Sequence, residues 1–437
     1  MKTIKNTIAI GIFVCSSAVF SQDTLQISKT DLTTKLSDQN LQLKISKQNV
    51  ESARSDYRQS NALFLPNISA SHTAITTTNP LMAFGSKLNQ EILTQADFNP
   101  ALLNDPSQVQ NYATRIEVLQ PILNADGLFE RKAAKSKMEA YQLQTERTKE
   151  YLELEVNKAF MQLQLAYKAV GVLEKANTTA QANLNLVNNY FKQGMLQKTD
   201  VLDVQVRVNE ITNQLSYAKS NVRNASDYLA FLLNEDTKGG IYKPVENLEN
   251  EINPALEIAQ LSTSRKDFLA MDKSTEAYKN MMKSGKMSFL PRLNAFGTYE
   301  LYDTEIFQFG ANGYTIGAQL SWNLFDGYKS IGKYEKSKVE LQKAETEAEQ
   351  YKKQSQLELN KTNRQLADAQ NKVALSKLAF EQTQESFRIR QNRFVQGLEK
   401  TSDLLMTETQ TAQKELEYLQ AVFEYNFTKM YLEFLTK

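Results

Sequence analysis

The sequence predicts a mixed α/β membrane protein in which long coiled-coil hairpins join short amphipathic strands. Three observations carry this. Apolar residues recur every 3.5 positions over roughly thirty to sixty residues at a time. Four strand-length segments alternate apolar and polar residues. The whole pattern is written twice along the 437 residues.

Composition narrows the function. Only 15 glycines and 8 prolines interrupt the chain, which favours long helices. A share of 41% hydrophobic and 23% charged residues excludes a wholly disordered chain. The 51 Lys and Arg nearly cancel the 50 Asp and Glu, so no basic field exists to attract nucleic acid, which is not expected as a partner. One cysteine and one histidine leave no material for a zinc site, a haem ligand pair or a His-based triad. No catalytic, metal or cofactor residues are expected, and the chain does not read as an enzyme.

Residues 1–21 read as a cleaved signal peptide. Lys2 and Lys5 precede the apolar run Ile8 to Phe20, and Val19-Phe20-Ser21 stands before Gln22. About 13 residues is too short for a spanning helix, which needs about 20. Cys15 follows Ile12-Phe13-Val14, without the small residues that precede a lipidated cysteine. Cleavage removes two lysines and no acid, turning the net charge of +1 into −1, and leaves no cysteine. The exported chain must therefore hold together without disulfides.

Residues 22–233 form a first structural repeat, and 254–437 a second. Phe64-Leu65-Pro66-Asn67-Ile68-Ser69-Ala70 matches Phe289-Leu290-Pro291-Arg292-Leu293-Asn294-Ala295. Phe191-Lys192-Gln193-Gly194 matches Phe394-Val395-Gln396-Gly397, and Thr199-Asp200-Val201-Leu202 matches Ser402-Asp403-Leu404-Leu405. Each half reads as helix, strand pair, long helix, tight turn, helix. Between them 234–253, with Gly239-Gly240 and Pro244, reads as a connector.

The strands of the first half are marked by Ile68, Ala70 and Ala74 on one face with His72, and by Ile116, Val118 and Ile122 alternating with Arg115, Glu117 and Leu119. In the second half Leu293 to Leu301 and Tyr314 to Leu324 alternate more cleanly. Each is long enough to cross a bilayer at a tilt, yet four strands are too few for a barrel, whose smallest members have about eight. A sheet with one greasy face and open edges needs partner chains. The alternative is a small sheet covering a water-soluble coiled coil.

From about Leu128 to Phe191 the seam Leu152, Val156, Ala159, Leu163, Ala166, Val170, Leu173, Asn177, Ala180, Leu184, Val187 steps by four and three. Such a helix is roughly 90 Å long, beyond an ordinary globular domain. Val201, Val204, Val208, Ile211, Leu215, Ala218, Val222, Ala225, Leu229 and Leu232 return along a second helix. The second half copies this over about Lys329 to Phe394 and Asp403 to Leu435, with Thr383, Arg390 and Lys414 wetting its seam.

The signal, the repeat, the strand pairs and the two turns resemble the TolC-like outer-membrane efflux proteins. The specific marks are an aromatic-x-x-Gly turn followed six residues later by Asp200 or Asp403, the Leu-Pro-x-Ile/Leu-x-Ala junctions at Pro66 and Pro291, and the loop Ala83-Phe84-Gly85-Ser86-Lys87-Leu88. The resemblance covers nearly all of the mature chain. It implies a homotrimer whose chains each give four strands to a transmembrane β-barrel in outer-membrane lipid, continuing into an α-helical periplasmic tunnel. It also implies that the channel exports small molecules or proteins by docking with a periplasmic adaptor (membrane fusion) protein and an inner-membrane transporter, without chemistry of its own.

By that resemblance the turns form the periplasmic tip. Phe191, Gly194, Leu196, Phe394, Gly397 and Leu398 are candidate docking residues, with Lys192 and Met195 beside them; ordinary hairpin closure is the competing reading. Asp200, Asp203 and Asp403 are gate candidates, because a three-fold axis turns one aspartate into a ring that favours cations. Thr199 and Ser402 as helix caps, with each aspartate complementing a helix dipole, account for the same residues without a gate. Glu399, where other members carry arginine, and Met406, in place of a second gate acid, depart from the pattern. His72 reads as a barrel-surface or interface residue. Tyr299, Tyr302, Tyr314 and Trp322 suit an aromatic belt, or core packing. Glu153 and Glu155 read as solvated or tunnel-lining. A periplasmic adaptor and an exported structural coiled coil remain as alternatives, but the first would show a single hairpin flanked by glycine-rich β-domains and the second no membrane-depth strands.

Overall fold

A computed structural model describes residues 24–248 and 259–437. The expected signal peptide and the junction between the expected connector and second repeat lie outside the described residues. In chain order the elements are β1 (Thr24–Ile27), α1 (Lys29–Gln39), α2 (Leu41–Gln59), a 3-10 turn, β2 (Asn67–Thr77), α3 (Pro80–Asn89), a second 3-10 turn, α4 (Pro100–Asn104) and β3 (Val109–Leu123). There follow α5 (Ala125–Lys192), α6 (Lys198–Leu233), β4 (Ile241–Pro244), α7 (Lys266–Met287), β5 (Arg292–Asp303), β6 (Ala311–Ser321), α8 (Lys329–Val395) and α9 (Thr401–Thr436). This is a mixed α/β fold with a long helical region and a partial β-sheet. The chain divides into two compact units.

The first unit holds the described residues of Met1–Leu41, Leu152–Glu257 and Arg364–Tyr431. Its interior is the seam read from the sequence: Val156, Leu163, Ala180 and Val187 of α5 are buried, as are Val204, Ile211 and Leu229 of α6. Small side chains let backbones approach, and Ala176 and Ala180 pack on Ile211. Outside the periodic pattern, β1 pairs in parallel with β4. The expected connector thus carries a strand, closed by Tyr242, whose backbone N–H donates to Ser226 Oγ at 2.8 Å and whose hydroxyl bonds to Glu235. Lys35 reaches Glu235 at 2.6 Å and ties α1 to the same corner.

The second unit is Gln42–Tyr151, Ile258–Asn363 and Leu432–Lys437, described from Ala259 in its middle segment. Its centre is an antiparallel sheet in the order β2-β3-β5-β6. The register aligns Ile68 with Val118, Val118 with Gly297 and Gly297 with Ile316, and Ala70 with Ile116, Ile116 with Tyr299 and Tyr299 with Tyr314. Directly opposed residues share a face, so one apolar face crosses all four strands. The other face carries Arg115 against Glu300 at 2.5 Å, and Phe296, whose ring lies so close over Gly317 that a Cβ there would meet it at 2.6 Å.

The last strand is shorter than its alternation suggested. β6 ends at Ser321, so Trp322 and Leu324 lie beyond it. Asp326 accepts bonds from the backbone and hydroxyl of Ser330 at the start of α8, while Gly327 and Tyr328 take left-handed φ of 66° and 69°. The chain leaves the sheet to begin a helix, and the Trp322 indole donates to the Phe289 carbonyl at 3.0 Å.

Candidate functional site

The two turns lie in the first unit and are built alike. Gly194 has φ +74° and Gly397 φ +71°, a left-handed conformation that L side chains rarely adopt. In each, the next N–H reaches back five residues, Met195 to the Tyr190 carbonyl and Leu398 to that of Arg393, both at 2.9 Å. This closes each helix with a Schellman motif that satisfies carbonyls the helix end leaves open.

Around the turns the expected docking residues separate. Met195, Phe191 and Leu398 are exposed, at 60%, 41% and 63%. Gly194 and Gly397 are also exposed, while Leu196 is half-buried. Phe394 is only 2% exposed and packs with Val187, Val204 and Leu404, so as a docking surface it is corrected: it is the core of the tip. Tyr190 reinforces that core by donating its hydroxyl to the Val395 carbonyl at 2.8 Å. Heptad phase places Phe191 and Phe394 alike, but Phe191 stays exposed while Phe394 is buried against Val187 of α5 and Val204 of α6.

The expected gate acids also differ from one another. Asp200 is the third residue of α6 and accepts from the Gln197 N–H at 3.0 Å, so the residue that caps the helix is Gln197 and not Thr199. Thr401 likewise begins α9, which places Ser402 inside the first turn and removes it as a cap. Asp203 is exposed. Asp403 comes within 3.8 Å of Arg390. Among the described residues no three His, Cys, Asp or Glu side chains gather closely enough to hold a metal ion.

Glu399, noted in the sequence only as a departure, organises the second turn. Its carboxylate pairs with Arg390 at 2.7 Å and Arg393 at 2.9 Å. An open groove of about 820 Å³ runs beside this network, lined by Leu378, Glu385, Ile389, Arg390, Arg393 and Glu399. The signal for it was Arg390 at a seam position, nine residues before an acid across a turn.

A second polar group escaped the sequence reading. Glu408 of α9 is 3% exposed and accepts one hydrogen bond, from Asn183 Nδ2 at 2.8 Å, while its other oxygen has no protein partner. Burial pushes its carboxyl above the usual range, against the opposing pull of that bond and of the Arg207 charge.

His72 Nδ1 bonds to Thr114 Oγ1 at 2.8 Å, and its ring lies 4.5 Å from that of Phe307. No helix among the described residues is long and apolar enough to cross a membrane.

Comparison with known proteins places this geometry. The profile of the outer membrane efflux protein family matches residues 32–235 and 258–427. Among solved structures, the Campylobacter jejuni CmeC outer membrane channel superposes with a TM-score of 0.79 at 13% identity, covering 100% of this chain and 93% of that one. The Vibrio cholerae outer membrane protein VceC gives 0.77 at 14% identity, covering 92% and 95%. The Neisseria gonorrhoeae MtrE outer membrane channel gives 0.75 at 15%, covering 93% and 88%. No curated protein sequence gives a match.

Proposed function

The chain belongs to the outer membrane efflux protein family, and on that premise we propose how it assembles and which residues engage its partners. It is the outer-membrane channel of a tripartite efflux system and a conduit, not an enzyme. That family assignment displaces the adaptor and structural coiled-coil alternatives. Channels of this kind work with a periplasmic adaptor and an inner-membrane pump.

One observation carries the assembly: a four-stranded sheet whose apolar face crosses every strand and whose edges, β2 and β6, have no further strand in the chain among the described residues. In hydrocarbon each unpaired backbone group costs several kcal/mol, so only closure of the sheet is stable. Three copies supply twelve strands and remove both edges, with the apolar face turned to lipid. The repeats at 22–233 and 254–437, joined by the 234–253 connector, derive from a tandem duplication that gives each chain two strand pairs and two helical hairpins.

At the tip, the exposed Phe191, Met195 and Leu398 and the groove beside Arg390 and Glu399 suit an adaptor helix, which needs apolar contacts inside a charged rim. Gly194, Gly397 and Leu196 hold the shape of that surface. Asp403 forms the acidic ring, with Asp200 and Asp203 contributing less.

The assembly is tested by outer-membrane fractionation with a heat-sensitive trimer band; a detergent-free, monodisperse single chain rejects it. The docking assignment is tested by Leu398→Asp and Lys192→Glu, expected to abolish pump-dependent export in a deletion strain while the trimer band stays; unchanged export rejects it. Bilayer conductance should change sharply in Asp403→Ala and on adding trivalent cations, and insensitivity to both removes the ring.

A further inference from the structure

At the end of the sheet where β2 begins and β3 gives way to α5, a groove of about 550 Å³ lies wholly within the second unit. Its walls are apolar, formed by Phe64, Leu65 and Leu128, with the Tyr57 ring beside them. Its charged lining is of one sign: Arg131, Lys132 and Lys135, from one stretch of α5, and no carboxylate. Arg131 is fixed in place, its guanidinium 4.8 Å from the Tyr57 ring centre and its Nε donating to Asn61 Oδ1 at 3.2 Å. Lys132 lies 5.2 Å from the Phe129 ring, and Lys135 meets Glu139 only at 3.8 Å with most of its side chain open.

The apolar side chains at this end of the sheet are open to the surroundings. Leu65 and Leu128 are 58% and 50% exposed, as are Ile122 and Leu123 at the end of β3. Exposed apolar side chains therefore occur both at the end of the sheet and in the groove, whose lining also carries three cations. A free anion leaves that wall unused, and a zwitterionic lipid leaves the surplus positive charge unmatched. At a membrane boundary, basic side chains extend toward headgroups and aromatic rings sit at that level, and each cation near an anionic surface adds to the attraction.

We propose that this groove binds an anionic glycerophospholipid, its phosphate among Arg131, Lys132 and Lys135 and an acyl chain along Phe64, Leu65 and Leu128. The assignment rests on the reading of the sheet as membrane-spanning.

Native mass spectrometry of the detergent-extracted protein, with added phosphatidylglycerol, phosphatidylethanolamine, lipopolysaccharide or inorganic phosphate, tests it. Retention of phosphatidylglycerol over the others is expected. The double variant Lys132→Gln, Lys135→Gln should lower that retention roughly tenfold or more, leaving phosphatidylethanolamine unchanged. Leu65→Ser, which keeps every charge, should lower it as well. Equal retention of the two phospholipids, preference for lipopolysaccharide, displacement by inorganic phosphate, or unaltered retention in both variants overturns the site. Outer-membrane fractionation and export in the same strains score the channel reading separately, so either can fail while the other stands.

Discussion

Glu408 brings a carboxylate into the helix interior with a single hydrogen bond, from the neutral amide of Asn183. Because burial raises its folded pKa above the unfolded value, the folded chain holds that proton more tightly. The resulting stability is fully present below the unfolded pKa and is lost as pH rises through the folded one. Glu408→Gln keeps an acceptor for Asn183 and removes the charge. The variant is expected to melt above the wild type at pH 8 and to converge with it at pH 4 in thermal denaturation; a wild type that is the more stable at pH 8 would mean that Arg207 pairs with the carboxylate in solution. At the tip, Gly397→Ala places a Cβ in open space, so its cost is backbone strain alone, about 1–2 kcal/mol. Phe394→Ala removes the buried ring and should cost about 3–5 kcal/mol. Thermal unfolding of the two separates strain from packing. The sequence shows that both tips carry an aromatic residue at the same phase, but not which one meets a facing helix, since burial depends on a neighbour more than two hundred positions away. The cap at Gln197 was hidden for a related reason: Thr199 is the better capping type, yet the Asp200 carboxylate accepts the N–H of the residue three before it and so selects Gln197.

Among elements, those with a sustained period were legible and those without were not. α5 and α6 bury Val156, Leu163, Val187, Val204 and Leu229 as their 3.5-residue pattern demands, and the register of the sheet reproduces the alternation at Ile68, Ile116, Tyr299 and Tyr314. β1 and β4 have four residues each and pair across more than two hundred positions, so no local pattern marks them. The end of α9 was equally silent. There, in the second unit, Arg265 is 2% exposed, binds the Asp267 carboxylate at 2.6 Å and donates to the Leu435 carbonyl at 3.1 Å, while Arg147 donates to that of Phe434, also at 3.1 Å. Burial raises the Asp267 pKa, but bonds from Arg265 and Tyr351 and the Arg147 charge outweigh it and hold the carboxyl below its usual range. Removing Arg265 takes the nearest cation from a buried carboxylate and leaves it only Tyr351 at 2.9 Å and Arg147 at 3.4 Å, a loss of up to about 3–5 kcal/mol. Arg265→Ala should therefore lower the melting temperature and open the C-terminal turn to limited proteolysis. Lys352→Ala, which breaks the exposed pair with Asp272 at 3.1 Å, should stay within about 1 kcal/mol of the wild type.

For the molecule as a whole, the decisive question is what the apolar face of the sheet meets, and Ile316 isolates it. In the single chain Ile316 is 79% exposed, and an exposed side chain on a water-facing strand tolerates substitution to within about 0.5 kcal/mol. Under that condition Ile316→Arg is nearly neutral. If three chains close the barrel, the same position faces hydrocarbon, where an arginine costs about 2–4 kcal/mol near the midplane. Thr315, its neighbour on the opposite face, then points into the lumen, so Thr315→Arg supplies a control of equal charge and nearly equal position. The expected outcome is a lowered heat-sensitive trimer band in outer membranes for Ile316→Arg and a retained band for Thr315→Arg. Equal tolerance of both would place the sheet in water, and equal loss would mean that added charge disrupts the strand on either face; only the asymmetry identifies lipid as the surrounding medium.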